Sequence, residues 1–299
     1  MYGVRLTDDQ AHALREVLSI AKESRADAIL VSGDVYDRAV PPPEAVALLD
    51  DFVSEVVLDL GIPVMMIAGN HDSPHRLEFA SRVLASKGLH VCGNVQSDPL
   101  RITLADKAGP VHFIAVPYAE PALVRERFST DDARDHEESM KMIVERARSV
   151  VPAGERSVLL AHAFVQGGVE TESERPLSVG GADKIDASVF SSFNYTALGH
   201  LHRQQAIGGS HIRYAGSIYK YSFSEVDHRK GVLVVDMDEE GSCQVELVPL
   251  TPRRDVRRVE GLLKDILAWA PDGKEREDYL VVSVLDTAAI LDVMGKLRE

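Results

Sequence analysis

Cysteine is nearly absent from this chain: Cys92 and Cys243 are the only two among 299 residues. Two cysteines cannot build a disulfide framework or a thiolate zinc site, so a reducing compartment, the cytoplasm, is the expectation. Long apolar runs are missing as well. Although 45% of the residues are apolar, no stretch approaches the ~20 residues of a membrane-spanning helix, so no membrane partner is expected. Residues 1–10 lack the basic start and apolar core of a secretion signal. Nor is there a surplus of positive charge. Lys and Arg total 33 against 47 Asp and Glu, a formal net charge of −14. That excludes a protein that holds nucleic acid chiefly through a broad basic surface. It does not exclude an enzyme that reaches a phosphodiester through bound cations, because a cation reverses the local field. The one basic run, Arg253, Arg254, Arg257 and Arg258, is expected to be a solvated strand or linker.

What the chain does contain is an alternation of short apolar runs and amphipathic segments. Residues 7–21 have helical spacing, with Thr7 and Gln10 placed as a capping box. Residues 27–32, 63–68 and 89–93 read as buried strands. Between them, 42–61 and 73–88 read as helices that start at proline and stop at glycine. From about residue 100 the pattern changes to paired strands and a charged helix over 131–150. Further strands end near His162 and His202, and three more run on to about residue 250. The expectation is an α/β protein with two sheets packed face to face and helices outside, the second sheet more antiparallel than the first. Residues 1–250 form one domain in this reading, and 251–299 form part of a small αβ cap.

The apolar run 64–68 stops at Gly69-Asn70-His71-Asp72. Glycine, Asn and Asp are ordinary turn residues; a His between them is not. Other strands end in the same way. One runs into Gly33-Asp34, with Asp37 beyond; one reaches His162; one reaches Gly199-His200-Leu201-His202. In a layered α/β protein the carboxyl ends of the strands share an edge, where such folds place ligands. Asp, Asn and His without thiolate suit manganese, iron(II) or zinc. Gly33, Gly69 and Gly199 precede the ligands where a tight turn or a close backbone approach needs no Cβ.

This ordered set, GD…GNHD…H…GHxH, resembles the calcineurin-like metallophosphoesterase superfamily. The stretches "DAILVSGDVYDRAVPPPEAVALLDDFV" and "YTALGHLHRQQAIGGSHIRYAGSIYKYSFSE" resemble its SbcD-type nucleases of double-strand-break repair. The resemblance implies a four-layer sandwich of two mixed β-sheets flanked by helices, plus the αβ cap. It implies that Asp34 bridges two divalent metal ions, manganese foremost. Asn70, His162 and His200 would complete one metal, and His202 would belong to the other. His71 would be the catalytic histidine, with Asp72 behind it to orient it. DNA, an SbcC-type ATPase subunit and a homodimer are the implied partners. The implied activity is exonuclease action on double-stranded ends and endonuclease action on single strands or hairpins, in DNA repair and recombination.

One part of the family pattern is missing. The family opens with a strand followed by Asp-x-His, and no such triplet at a strand end occurs here. The expectation is that the sequence starts after that strand and that one metal site keeps only Asp34 and His202. Two other readings follow: a small-molecule phosphodiesterase on the same scaffold, and a non-catalytic DNA- or partner-binding subunit.

Overall fold

A computed structural model of the protein describes residues 4–174, 184–269 and 276–298. Helix α1 (Thr7–Glu23) leads into strand β1 (Ile29–Val31), helix α2 (Pro43–Ser54) and strand β2 (Val64–Ile67). Two short helices, α3 (Pro74–Leu77) and α4 (Ser81–Leu84), precede strand β3 (Leu89–Cys92). Strands β1, β2 and β3 form a parallel sheet. Val64 to Ala68 are buried without a break, as expected of a strand covered on both faces. On one face α1 and α2 pack through Leu14, Leu18, Phe52 and Val56.

A second layer follows. It holds β4 (Leu100–Asp106), β5 (Gly109–Val116), α5 (Pro121–Phe128), α6 (His136–Ser149), β6 (Arg156–His162), β7 (Phe164–Val165) and β8 (Lys184–Ile185). Then come β9 (Tyr195–Gly199), β10 (Gln205–Ala206) and β11 (Ile212–Tyr214). The large sheet has the order β10-β11-β9-β6-β5-β4. Its outer face carries α5 and α6 over a core of Ile114, Leu159, Ile143 and Phe190. Its inner face meets the first sheet through Met65, Ile67, Leu160 and Tyr195. The hairpin β12 (Gly231–Met237) and β13 (Cys243–Pro249) packs on this same inner face, through Val235, Met237 and Val245. The result is four layers, helix–sheet–sheet–helix, as the sequence implied.

A βαβ unit closes the chain: β14 (Val256–Gly261), α7 (Leu263–Ala268), β15 (Tyr279–Val284) and α8 (Val293–Arg298). Its two strands pair in parallel. The basic run is not a free solvated face. Arg254 makes a paired contact with buried Asp9 of α1, Arg253 lies 3.2 Å from Asp8, and Arg257 lies 2.6 Å from Asp278. The Asp8 and Asp9 contacts fix the unit against α1.

The large sheet is the more antiparallel of the two, as expected, through its two edge pairs; its β11, β9, β6 and β5 run parallel, and the first sheet is parallel throughout. Other expectations differ from what is seen. Thr7 caps nothing. Helix α1 starts after Leu6 without a side-chain cap, and Gln10 donates instead to the Tyr221 hydroxyl at 3.1 Å. The helix expected over 73–88 breaks at Ala80 (φ 58°), and just before the break the Glu78 side chain accepts from Asn94 Nδ2 at 2.7 Å beyond β3. Helix α2 runs on through a wider turn, Leu60 N donating to Glu55 O at 3.0 Å. Most of the polar turn expected near 271–278 lies outside the described residues.

Among the described residues, strands β1 and β12 each have a partner on one side only. Between them lies a cavity of about 890 Å3. Residues 26–36 and 231–237 line it as unbroken runs. A pleated face would present alternate residues, so what lines the cavity is the edge of each strand. Val158, Tyr195 and Ala197 of the large sheet form its floor, and Leu14, Val17 and Phe52 lie opposite. One end reaches Asp34, His200 and His202.

Candidate metal centre

The carboxyl ends of β1, β2, β6 and β9 meet at one edge of the sandwich. Asp34 follows β1, Asn70 follows β2, His162 ends β6 and His200 follows β9. One ligand atom from each of Asp34, His162 and His200 lies within 4.8 Å of the other two. Asn70 Oδ1 sits 2.9 Å from His162 Nε2 and 3.2 Å from His200 Nδ1. His162 Nε2 is 3.4 Å from Asp34 Oδ2.

This convergence is held at the cost of backbone strain. Asp34 (φ 49°) and His200 (φ 106°) both occupy the left-handed region, which side chains other than glycine rarely adopt and which clusters at functional sites. The glycines before the ligands have a spatial reason to be glycine. A Cβ on Gly199 would run into the Ser32 carbonyl, and one on Gly69 would run into the backbone and carboxylate of Asp34. The turns are stacked on one another, and that stacking brings the ligands together. Behind β6, the buried Tyr214 hydroxyl donates to Ala163 O at 2.7 Å and accepts from Val165 N at 2.9 Å, fixing the chain just after His162.

Each donor is oriented by its neighbours. Ser32 O can only accept, so His162 Nδ1 at 2.9 Å carries the proton and Nε2 presents its lone pair. That lone pair faces Asn70 Oδ1 and Asp34, also acceptors. Burial, reinforced by His162, drives the His200 imidazole down to about 3, so it is neutral. His71 N donates to Asp34 Oδ1 at 3.0 Å, aligning the carboxylate. Neutral imidazoles, an amide oxygen and a carboxylate converging lone pair to lone pair are what a divalent cation of manganese, iron or zinc type accepts. These residues fit a metal.

His202 is not part of the tight cluster. It lies beyond His200, one-fifth exposed, with Nδ1 2.9 Å from Glu225 Oε1. His71 is more open; its Nδ1 donates to the Asp37 carbonyl at 3.0 Å. Here the structure corrects the sequence reading. Asp72 does not orient the His71 ring: its carboxylate accepts from the backbone N–H groups of Val35, Tyr36 and Gly69 at 2.9 to 3.1 Å. It ties the two ligand-bearing loops together. Burial leaves its pKa raised, and those N–H groups offset only part of the rise. Asp37 contributes its backbone carbonyl to His71. Glu225 and Lys230 were not anticipated as site residues. Glu225 closes the family-like stretch 195–225 and Lys230 follows five residues later, but neither ends an apolar run as the other site residues do.

Comparison with known proteins agrees with this geometry. Residues 7–204 match the calcineurin-like phosphoesterase family, and residues 252–299 match the type 5 capsule protein repressor C-terminal domain. The SbcD subunit of the nuclease SbcCD from Staphylococcus epidermidis is 30% identical over 99% of this chain and 78% of its own length. Its counterpart in Staphylococcus saprophyticus is 29% identical over the same shares. Among the described residues no helix is long and apolar enough to cross a membrane. The donor set, the four-layer fold and these matches together make the chain a member of the calcineurin-like phosphoesterase superfamily of metal-dependent hydrolases, homologous to the SbcD component of the SbcCD nuclease.

Proposed function

We propose that this chain is the nuclease subunit of an SbcCD-like assembly that hydrolyses DNA phosphodiester bonds in repair and recombination. The reading includes exonuclease action on double-stranded ends and endonuclease action on single strands or hairpins. It also includes a homodimer and an SbcC-type ATPase partner. The observation that carries it is the convergence of Asp34, Asn70, His162 and His200 on one point beside an open His71.

Asp34, Asn70, His162 and His200 would hold one divalent cation; Asp34 and His202 would contribute to a second, with manganese the expected metal. Bound there, the cations supply Lewis acidity and a water of lowered pKa. The chain's own residues do the rest. Ser32 O and the His71 amide aim the imidazole and carboxylate donors. His71, held through Nδ1 by the Asp37 carbonyl, presents Nε2 to the solvent side. There, when protonated, its Nε2–H stabilises charge developing on the phosphoryl group or passes its proton to the leaving oxygen. Asp72 keeps the β1 and β2 loops in register, so His71 and Asp34 stay at fixed separation.

The test is manganese-dependent hydrolysis of blunt and hairpin DNA, with manganese binding measured in parallel. His71→Ala should bind manganese as the parent does and lose about 100-fold or more of any hydrolysis, the range for a positioned acid–base group. Equal activity in the variant would sink the role of His71. The 299 residues hold no Asp-x-His triplet, and a second reading is a DNA- or partner-binding subunit that does not hydrolyse DNA. Extending the N-terminus by an apolar strand ending in Asp-x-His separates the two. The extended variant should gain hydrolysis and thermal stability if the slot between β1 and β12 accepts a strand. DNA binding without hydrolysis in both forms supports the second reading.

A further inference from the structure

Glu225 is fully buried, yet it is a carboxylate. It ends a short turn whose first residue, Ser222, caps the Ser224 amide. Its two oxygens have different partners. Oε1 is 2.9 Å from His202 Nδ1, and Oε2 is 2.6 Å from Lys230 Nζ. Ser173 also bonds the carboxylate. Lys230 Nζ is nine-tenths buried and turns back to the same histidine: it donates to His202 O at 2.9 Å, and to Ser217 Oγ at 2.6 Å. His228 Nδ1 stands 3.3 Å from Lys230 Nζ and 3.9 Å from Glu225 Oε2. The His202 amide donates to Glu174 Oε1 at 2.8 Å. His202 is therefore held at its N–H, its C=O and its ring. His162, by contrast, has its far nitrogen held by a backbone carbonyl rather than a carboxylate.

We propose that Glu225 is a positioning residue for the metal centre. It keeps the proton of His202 on Nδ1 and so leaves the Nε2 lone pair free for a cation, while Lys230 supplies the charge that lets a carboxylate stay ionised in the interior. This rests on the two-metal reading above, for which His202 is a donor. A histidine that ligates a metal needs its other nitrogen fixed, and losing that partner typically costs about 10–100-fold in metal affinity.

The geometry makes an unusual demand on Glu225→Gln. A glutamine has one acceptor oxygen and one donor NH2. The NH2 cannot face the Lys230 ammonium, so the oxygen must, and the NH2 then faces His202 Nδ1. The proton is driven to Nε2 and the ligating lone pair is lost. Replacing the ammonium as well, in Glu225→Gln/Lys230→Met, frees the amide to turn, and its oxygen can again accept from Nδ1. A second substitution should therefore undo the first, which a merely structural role would not do.

The measurement is the histidine tautomer by long-range proton–nitrogen NMR on the metal-free full chain, followed by zinc titration. The parent should show His202 protonated at Nδ1, Glu225→Gln at Nε2, and the double variant at Nδ1 again. His162 should keep its Nδ1 proton throughout and so reports an intact fold. Zinc affinity at His202 should fall about tenfold or more in Glu225→Gln and recover in the double variant. If Glu225→Gln does not fold, Glu225→Leu/Lys230→Met removes both charges together, and His202 should then lose its single tautomer. A fixed Nδ1 proton in that variant, or in folded Glu225→Gln, overturns the proposal. The tautomer is read without metal or DNA, so failure of the nuclease reading would appear separately, as absent hydrolysis.

Discussion

Asp34, Asn70, His162 and His200 arrive from four strand ends and meet donor to donor, oriented by backbone groups. His202 stands just outside that cluster, one-fifth exposed, and its orientation comes from side chains: Glu225, Lys230 and Glu174. The first half of the centre is therefore built by the sheet. The second half is built by a buried ion pair in a loop. Strand ends packed edge to edge cannot shift one ligand without shifting the others, whereas a side-chain bracket can be changed one hydrogen bond at a time. The first half should fail all at once and the second by degrees.

The largest expected effect strikes the one residue both halves share. Asp34→Asn removes the charge that balances a cation but keeps the shape of the turn. Its amide would still accept from His71 N through one oxygen. Manganese affinity should fall by about 100-fold or more, since an ionised ligand is replaced by a neutral one, and titration calorimetry would read it. If only one of two binding steps weakened, Asp34 would not be common to both halves, and the comparison would have to be redrawn.

Most of the first half was legible in the sequence. A buried strand that stops at an imidazole, amide or carboxylate is a rare pattern; four such stops marked the edge where the site lies, and the family resemblance implied which of their residues would be ligands. Which strands of the large sheet run parallel was not legible, because apolar strands look the same whichever way they run; only the pairing along β11-β9-β6-β5 shows it. The break at Ala80 was hidden because no glycine or proline stands at residues 78–82 to mark it. Glu225 was invisible for a similar reason: nothing local says that a carboxylate in a serine-rich turn is buried. Asp72 was named but given the wrong task, because adjacency to His71 suggested a side-chain contact that the turn instead directs to backbone amides.

The next effect separates the halves by pH in the metal-free protein. His200 titrates near 6.5 unfolded and at about 3 folded. Protons thus favour the unfolded chain between those values, and its contribution is complete above pH 6.5 and drains away as the pH falls. Glu225 titrates near 4.5 unfolded. Burial pushes it up, but His202 and Lys230 outweigh burial and bring it to about 2, so its contribution is lost only below pH 4.5. A single such group changes stability by about 1.4 kcal/mol per pH unit inside its window. His90 and His228, also lowered by burial, act in the same direction as His200. The informative quantity is therefore the difference between variant and parent. Urea unfolding from pH 6.5 to 4.5 should be flatter for His200→Asn than for the parent. Equal slopes in the two proteins would mean that His200 accepts a proton without loss of fold.

The smallest effect tests how finely the second half is divided. Tyr221 lies edge-on to His202, ring centroids 6.2 Å apart, and its hydroxyl accepts from Gln10 at 3.1 Å. The ring and the hydroxyl thus serve different neighbours. Tyr221→Phe deletes only the link to α1 and should cost about 1 kcal/mol or less, the net value of one hydrogen bond, with the His202 tautomer and zinc affinity unchanged. Tyr221→Ala also removes the ring from the wall of the slot and should cost more, because a cavity is enlarged. If Tyr221→Phe alone loosened His202, the bracket would extend through Gln10 into α1. The second half would then be tied to the helix layer as firmly as the first is tied to the sheet, and the two halves would no longer be expected to fail differently.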